Sequence, residues 1–185
     1  MANALTVTHN AIVNCIKTPV TLINPFSGIS YNSLGLWDTG ATNSAITKSA
    51  AAKLGLKPIT KTTVKGVHGK KDVNVYFVEV SLNNKQITIN VQVSECDELS
   101  SGNDTCMLIG MDIIKLGDFS ITNFEGKTVM SFIIPPQKHI DYVKEINDYN
   151  RIVKIHKVWE RKGDNKCPCG SGKSFKNCHG KIQYK

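Results

Sequence analysis

The stretch Asn32–Thr47, NSLGLWDTGATNSAIT, decides how the rest of the chain is read. An apolar run ends at Leu36 and Trp37, meets a single acid, Asp38, and turns at once through Thr39 and Gly40. Burying an ionised carboxylate is costly unless it is paired, hydrogen-bonded or neutralised. Asp38 is therefore either a structural cap or the centre of some chemistry. The small and hydroxyl residues that follow suit a tight loop gripping a carboxylate. Gly40 lets backbone pass close, and Thr39 offers a hydroxyl for a hydrogen bond across a crowded contact.

On either side of this loop the chain reads mostly as β-structure. TVTHNAIV and PVTLIN are rich in β-branched residues and bounded by Asn, Pro and Gly. Thr47 is placed to cap a short helix through KSAAAKLG, with Gly55 as its stop. The run from Ile59 to Ser94 alternates about turns at GVHG and NNK. It fits an ordinary β-meander or, alternatively, a hairpin projecting around Gly66 and Gly69. MLIGMDIIKLG then gives an apolar strand, a glycine and a helical turn, where Asp112 is expected to hydrogen-bond locally. A last hairpin turns at FEGK, and Pro135 and Pro136 close the β-rich part. From Gln137 to about Lys162, Ile140, Val143, Ile146, Tyr149 and Val153 recur at helical spacing, with Ile152, Ile155 and Trp159 on a rotated stripe.

Charge and cysteine divide the chain at the same place. Up to Pro136 there are 11 Lys/Arg against 10 Asp/Glu; from Gln137 onward there are 12 against 5. Such a basic tail suits an acidic partner or a solvated helix face. Cys15, Cys96 and Cys106 are scattered singly and read as reduced thiols packed as small hydrophobes. Cys167, Cys169, Cys178 and His179 instead crowd into C-x-C-x8-C-H, a closed tetrahedral donor set for structural zinc. GSGKS within it lacks the spacing of a phosphate-binding loop. No apolar run approaches the roughly 20 residues of a membrane helix. MANALTVTHN has neither a basic nor an apolar leader region, so a cytoplasmic protein is expected.

Three motifs in order, LGLWDTGA, VKGVHGK and MLIGMDIIKLG, resemble the retropepsin-like aspartic proteases, and CPCGSGKSFKNCHG closely resembles the SEC-C zinc module. The resemblance implies an all-β fold, a retropepsin-like acid-protease barrel with one or two short helices, over residues 1–136. A helical linker (137–162) and a small zinc knuckle (163–185) follow. It implies catalysis by Asp38, Thr39 and Gly40, and a flap at Gly66, Val67, His68 and Gly69 that covers a peptide. Zinc would sit on Cys167, Cys169, Cys178 and His179, while catalysis itself needs no cofactor. Many viral members carry an acid at the position of Thr42 and an Arg at that of Met111; both are missing here.

The chain holds one Asp-Thr-Gly where single-chain members need two, so the resemblance implies a homodimer acting on peptide or protein substrates. The tail would dock a protein partner. It has no nucleic-acid reading motif, which disfavours nucleic acid in that role. The alternative is a catalytically silent retropepsin-fold adaptor that binds peptides without cutting them.

Overall fold

Alternation along Ile16–Ile23 shows how the core is built. In this strand Ile16, Thr18, Val20 and Leu22 are buried, while the residues between them are more open. The period of two makes one face of each strand a wall of the core. The computed structural model describes residues 1–66, 69–82, 86–99, 104–161 and 163–182. These fall into two units, Met1–Lys138 and His139–Lys185.

The first unit contains strands β1 (Asn3–His9), β2 (Ile16–Ile23), β3 (Ser30–Trp37) and β4 (Ala45–Thr47), then helix α1 (Lys48–Lys53). Strands β5 (Thr60–Gly66), β6 (Gly69–Leu82), β7 (Thr88–Cys96) and β8 (Thr105–Ile109) lead to helix α2 (Met111–Ile114). The hairpin of β9 (Asp118–Phe124) and β10 (Lys127–Ile134) ends the unit. One sheet runs β2-β3-β8-β4-β7-β6, and β6 returns to pair with β2 from Val20↔Leu82 to Ile23↔Glu79, closing a six-stranded barrel. A three-stranded sheet, β1-β10-β9, packs Phe119 and Phe132 against Trp37 at centroid distances of 5.2 and 5.1 Å. The fold is thus the all-β barrel expected from the sequence.

Local rules place the connections. The Thr47 hydroxyl accepts from Ala50 N (3.2 Å) to cap α1, and Gly55 takes the left-handed conformation, φ +62°, just past its end. Glu125 and Gly126, both at positive φ, make the tight turn of the last hairpin. Asp118 accepts from the amides of Gln137 (2.6 Å) and Lys138 (2.8 Å), which fixes the chain beyond Pro135 and Pro136 and holds its carboxyl below the usual range. The turn expected at Asn83–Lys85 lies outside the described residues.

The second unit contains helix α3 (Tyr142–Glu160) and two short 3-10 turns, Phe175–Asn177 and His179–Lys181. The helix begins later than its apolar spacing indicated, because the Asp141 side chain caps it by accepting from Lys144 N (2.9 Å). Its stripe stays open to solvent at Val143 and Ile146. Of the three scattered cysteines only Cys106 is buried; Cys15 is exposed and Cys96 intermediate, so the expected packing fails for Cys15. It sits just before β2, outside the inward alternation that begins at Ile16.

Strand β6 leaves the barrel at Val75, which pairs with both Thr60 of β5 and Ser94 of β7. Before it, Gly69–Asn74 pair with β5 only. The projecting hairpin, rather than a plain meander, is what the chain forms. At its root Tyr76 Oη donates to Glu95 (2.6 Å), and Asn74 donates to the same oxygen (3.0 Å). The tyrosine hydrogen bond leads in holding the Glu95 carboxyl below its ordinary value, while burial pushes the Tyr76 phenol up. A depressed carboxyl stabilises the fold above its unfolded value, about 4.3, and that contribution is lost as pH falls through the lower folded value. Tyr76→Phe is expected to flatten the acid limb of the stability profile, read as urea midpoints between about pH 3 and 6.

Candidate functional site

Asp38 emerges from the barrel at the end of β3, and three contacts fix where it points. Trp37 beside it is buried, its indole donating to Thr18 Oγ1 (3.0 Å). The Asp38 amide donates to the Ile109 carbonyl at the end of β8 (2.9 Å), and β3 and β8 run parallel to this point. One carboxylate oxygen then accepts from the Gly40 amide (2.8 Å). A Cβ at Gly40 would approach that oxygen to 3.2 Å. Asp38 is half-buried, whereas Thr39 and Gly40 are exposed, so the loop presents its turn outward.

Beneath the loop lies the turn that follows β8. Met111 N donates to Ala41 O (2.8 Å) and Asp112 N to Thr42 O (3.2 Å). Gly110 N donates to Ser44 Oγ (3.0 Å), and a Cβ on Gly110 would lie 2.6 Å from the Asn43 carbonyl carbon, so only glycine fits the crossing. Asp112 does meet its neighbour, accepting from Ile113 N (2.9 Å). Its larger role is distant: it accepts from Ser44 N (2.9 Å) and Ser44 Oγ (2.7 Å), 68 residues away. The expected local role of Asp112 is thus extended, and Ser44 is a site-shaping residue the sequence reading missed. The visible signal was a hydroxyl six residues past an acid, paired with Gly-x-Asp after a second apolar strand.

Gly66 and Gly69 are paired in register at the end of the projecting arm, and Gly69 has φ +104°, a conformation suited to glycine. Val67 and His68 lie outside the described residues. The arm is tied to the Asp38 loop across β7: Ser94 pairs with Val75 at the arm's root, and its amide donates to Ser44 O (3.2 Å). A pocket of about 420 Å3 elsewhere on the first unit, lined in part by Phe26, Leu56, Pro58, Ile59 and Phe77, contains none of the candidate catalytic, flap or metal-binding residues.

In the second unit the four tail donors converge. The Sγ atoms of Cys167, Cys169 and Cys178 and one nitrogen of His179 all lie within 4.8 Å of one another. His179 Nδ1 is 3.2 Å from Cys167 Sγ and 3.4 Å from Cys178 Sγ, and the Cys169 and Cys178 sulfurs are 3.6 Å apart. A tetrahedron of metal–sulfur bonds near 2.3 Å and a metal–nitrogen bond near 2.0 Å has edges of roughly 3.5–3.8 Å, so the donor set fits zinc. Gly170 and Gly172, at φ +80° and +71°, bend the intervening loop. Hydrogen bonds from Ser171 lower the Cys169 thiol to about 6, toward the thiolate a metal needs. Phe175 stacks on the buried His156 of α3 at 3.8 Å, and Tyr149 Oη donates to Ile182 O (2.8 Å), so the helix and the turns fold together.

Asp112→Ala would remove both bonds to Ser44 and leave its buried hydroxyl proton without an acceptor, although the oxygen still accepts from Gly110 N. It is expected to destabilise the first unit by about 1.5–3 kcal/mol in urea unfolding.

Residues 34–113 match the family described as Aspartyl protease, and residues 165–181 match the SEC-C motif. No match is found among curated proteins. Among solved structures the chain is similar to a retropepsin-like aspartic protease from Rickettsia conorii, at 14% identity and TM-score 0.45, covering 72% of this chain and 95% of that one. It is also similar to simian foamy virus protease (16%, TM-score 0.39, 54% and 92% covered). A third is EIAV protease in complex with an inhibitor (20%, TM-score 0.41, 55% and 86% covered). The two family matches thus fall in the order the sequence motifs indicated, an aspartyl protease match in the first unit and a SEC-C match in the second.

Proposed function

We propose that the protein is an aspartic endopeptidase that works as a homodimer, each subunit supplying one Asp38. The observation that carries this reading is the Asp38 loop itself: a carboxylate fixed by its own turn and by β8, with Thr39 and Gly40 facing outward. A second copy laid on that face would bring two such carboxylates together. Two carboxylates at close range share one proton. The ionised one takes a proton from a water as its oxygen adds to the scissile carbonyl, which the protonated one polarises; as the C–N bond breaks, the captured proton passes to the leaving amine. The arm of β5 and β6 closes over the peptide and excludes solvent.

In the tail, Cys167, Cys169, Cys178 and His179 would hold one zinc ion, whose chemistry there is a structural cross-link. The knuckle has little core of its own, with Cys167 buried and its neighbours largely open, so metal and folding are coupled. The α3–knuckle unit, rich in lysine, is the docking part for a protein partner.

Asp38→Asn is expected to lower peptide hydrolysis by about 10³-fold or more while sedimentation still shows dimers. Undiminished hydrolysis would contradict the reading, and peptide binding without any cut by the wild type would favour the silent adaptor. Chelation of the full chain is expected to raise amide exchange across residues 163–182 and leave residues 16–134 unchanged.

A further inference from the structure

Strand β7 changes partners at Ser94. Its pairing with β6 ends at Val75↔Ser94, and its pairing with β4 runs from Ala45↔Ser94 to Thr47↔Cys96. The other end of β6 belongs to the arm, so the two strands part where the arm leaves the barrel. One step beyond the last pair, side chains take over from the backbone ladder. Asn74 Nδ2 donates to Glu95 (3.0 Å), and Tyr76 Oη donates to the same carboxylate oxygen (2.6 Å). Tyr76 is buried in the core cluster, so Glu95 joins the root of the arm to a fixed point of the barrel.

The residues after Glu95 also face two ways. Asp97 accepts from Lys71 of the arm (3.0 Å) and lies 3.6 Å from Lys48, while Glu98 accepts from Ser49 (3.1 Å). Lys48 and Ser49 open α1, directly after β4 and hence downstream of the Asp38 loop. Residues 95–98 are thus bonded both to the arm and to the chain that leads from Asp38. Among the described residues, Asn74 and Lys71 are the arm side chains hydrogen-bonded to this segment, and the two links differ in strength. The Lys71 and Asp97 side chains are 56% and 74% exposed, and such pairs contribute little. Glu95 instead accepts two bonds on one part-buried oxygen, and bonds to a charged acceptor are the stronger class. We infer that Glu95 is a positioning residue: through Asn74 it sets the posture of the arm relative to the Asp38 loop, and so the fit of a bound peptide. The inference rests on the reading of Asp38 as the catalytic acid and of the arm as the cover of the peptide. The place of the bonds favours this over a part in closing the barrel, because the β6–β7 ladder is already complete at Val75↔Ser94.

The test uses the full-length, zinc-loaded protein. Asn74→Ala removes the arm's bond and keeps the Tyr76–Glu95 bond. Urea unfolding should therefore hold, while amide exchange over residues 60–66 and 69–74 rises about 10-fold relative to β10. Glu95→Ala should loosen the arm likewise. Glu95→Gln, whose amide oxygen still accepts, should restore most of the protection, and Asp97→Ala should change it less than about 3-fold. A fluorescein-labelled statine peptide should bind the Asp38→Asn protein about 5-fold more weakly once Asn74→Ala is added. In the otherwise wild-type chain the same change should raise KM for a cleaved peptide and leave kcat within about 2-fold. Arm exchange that stays unchanged in Asn74→Ala and Glu95→Ala overturns the inference. So does a loosened arm with statine-peptide binding and KM intact, which would leave Glu95 a purely structural part. An equal loosening by Asp97→Ala overturns it in favour of the exposed pairs. A looser arm and weaker statine-peptide binding, with no peptide cut by the wild type, supports the positioning role and refutes the protease reading instead.

Discussion

The structure of the first unit depends on one crossing: the loop after β3 lies over the turn after β8, and Asp112 ties them together through Ser44. Each segment alone is a short irregular turn with orphan backbone groups. Laid across each other they satisfy those groups mutually, through Met111 N, Asp112 N and Gly110 N on one side and Ala41 O, Thr42 O and Ser44 on the other. Gly110 allows the approach, since any side chain there would strike Asn43 backbone. The Asp38 carboxylate, just ahead of this crossing, is itself held by the Gly40 amide and by the bond from its own amide to Ile109. Met111 and Thr42 carry no charge to pair across the crossing, and backbone hydrogen bonds, Met111 N to Ala41 O and Asp112 N to Thr42 O, do the joining.

From that crossing the rest of the barrel follows. Ser44 leads into β4, which pairs with both β7 and β8. Strand β7 in turn carries β6, and β6 is long enough to close the barrel against β2 at one end and to project as the arm at the other. A single strand therefore links the buried core to the projecting hairpin. The Asn74–Tyr76–Glu95 cluster sits where β6 changes from one duty to the other. Among the described residues the arm beyond it is held by backbone ladder, by the Thr63–Asp72 hydrogen bond and by the exposed Lys71–Asp97 pair, which contributes little stability.

Local chemistry made much of this legible in the sequence. Thr47 before an alanine run, Gly55 after it, Glu125-Gly126 between alternating strands and the crowded Cys/His tail each carry their structural meaning within a few residues. The Asp-Thr-Gly loop and the later Gly-x-Asp were visible as motifs for the same reason. What stayed hidden depends on pairing across long separations. The β2–β6 contact that closes the barrel joins Val20 to Leu82, and the Asp112–Ser44 bond spans 68 residues. The start of α3 was also obscured. Helical spacing begins near Ile140, but Asp118 holds the amides of Gln137 and Lys138, and the cap belongs to Asp141.

In the proposed homodimer each chain holds half of a site. The direct measurement is specific peptidase activity against protein concentration, across the range where sedimentation shows monomers giving way to dimers. Activity per subunit should rise in step with the dimer fraction and fall toward zero in dilute protein. Activity per subunit that stays constant into the monomeric range would contradict the claim, because a lone Asp38 would then be sufficient.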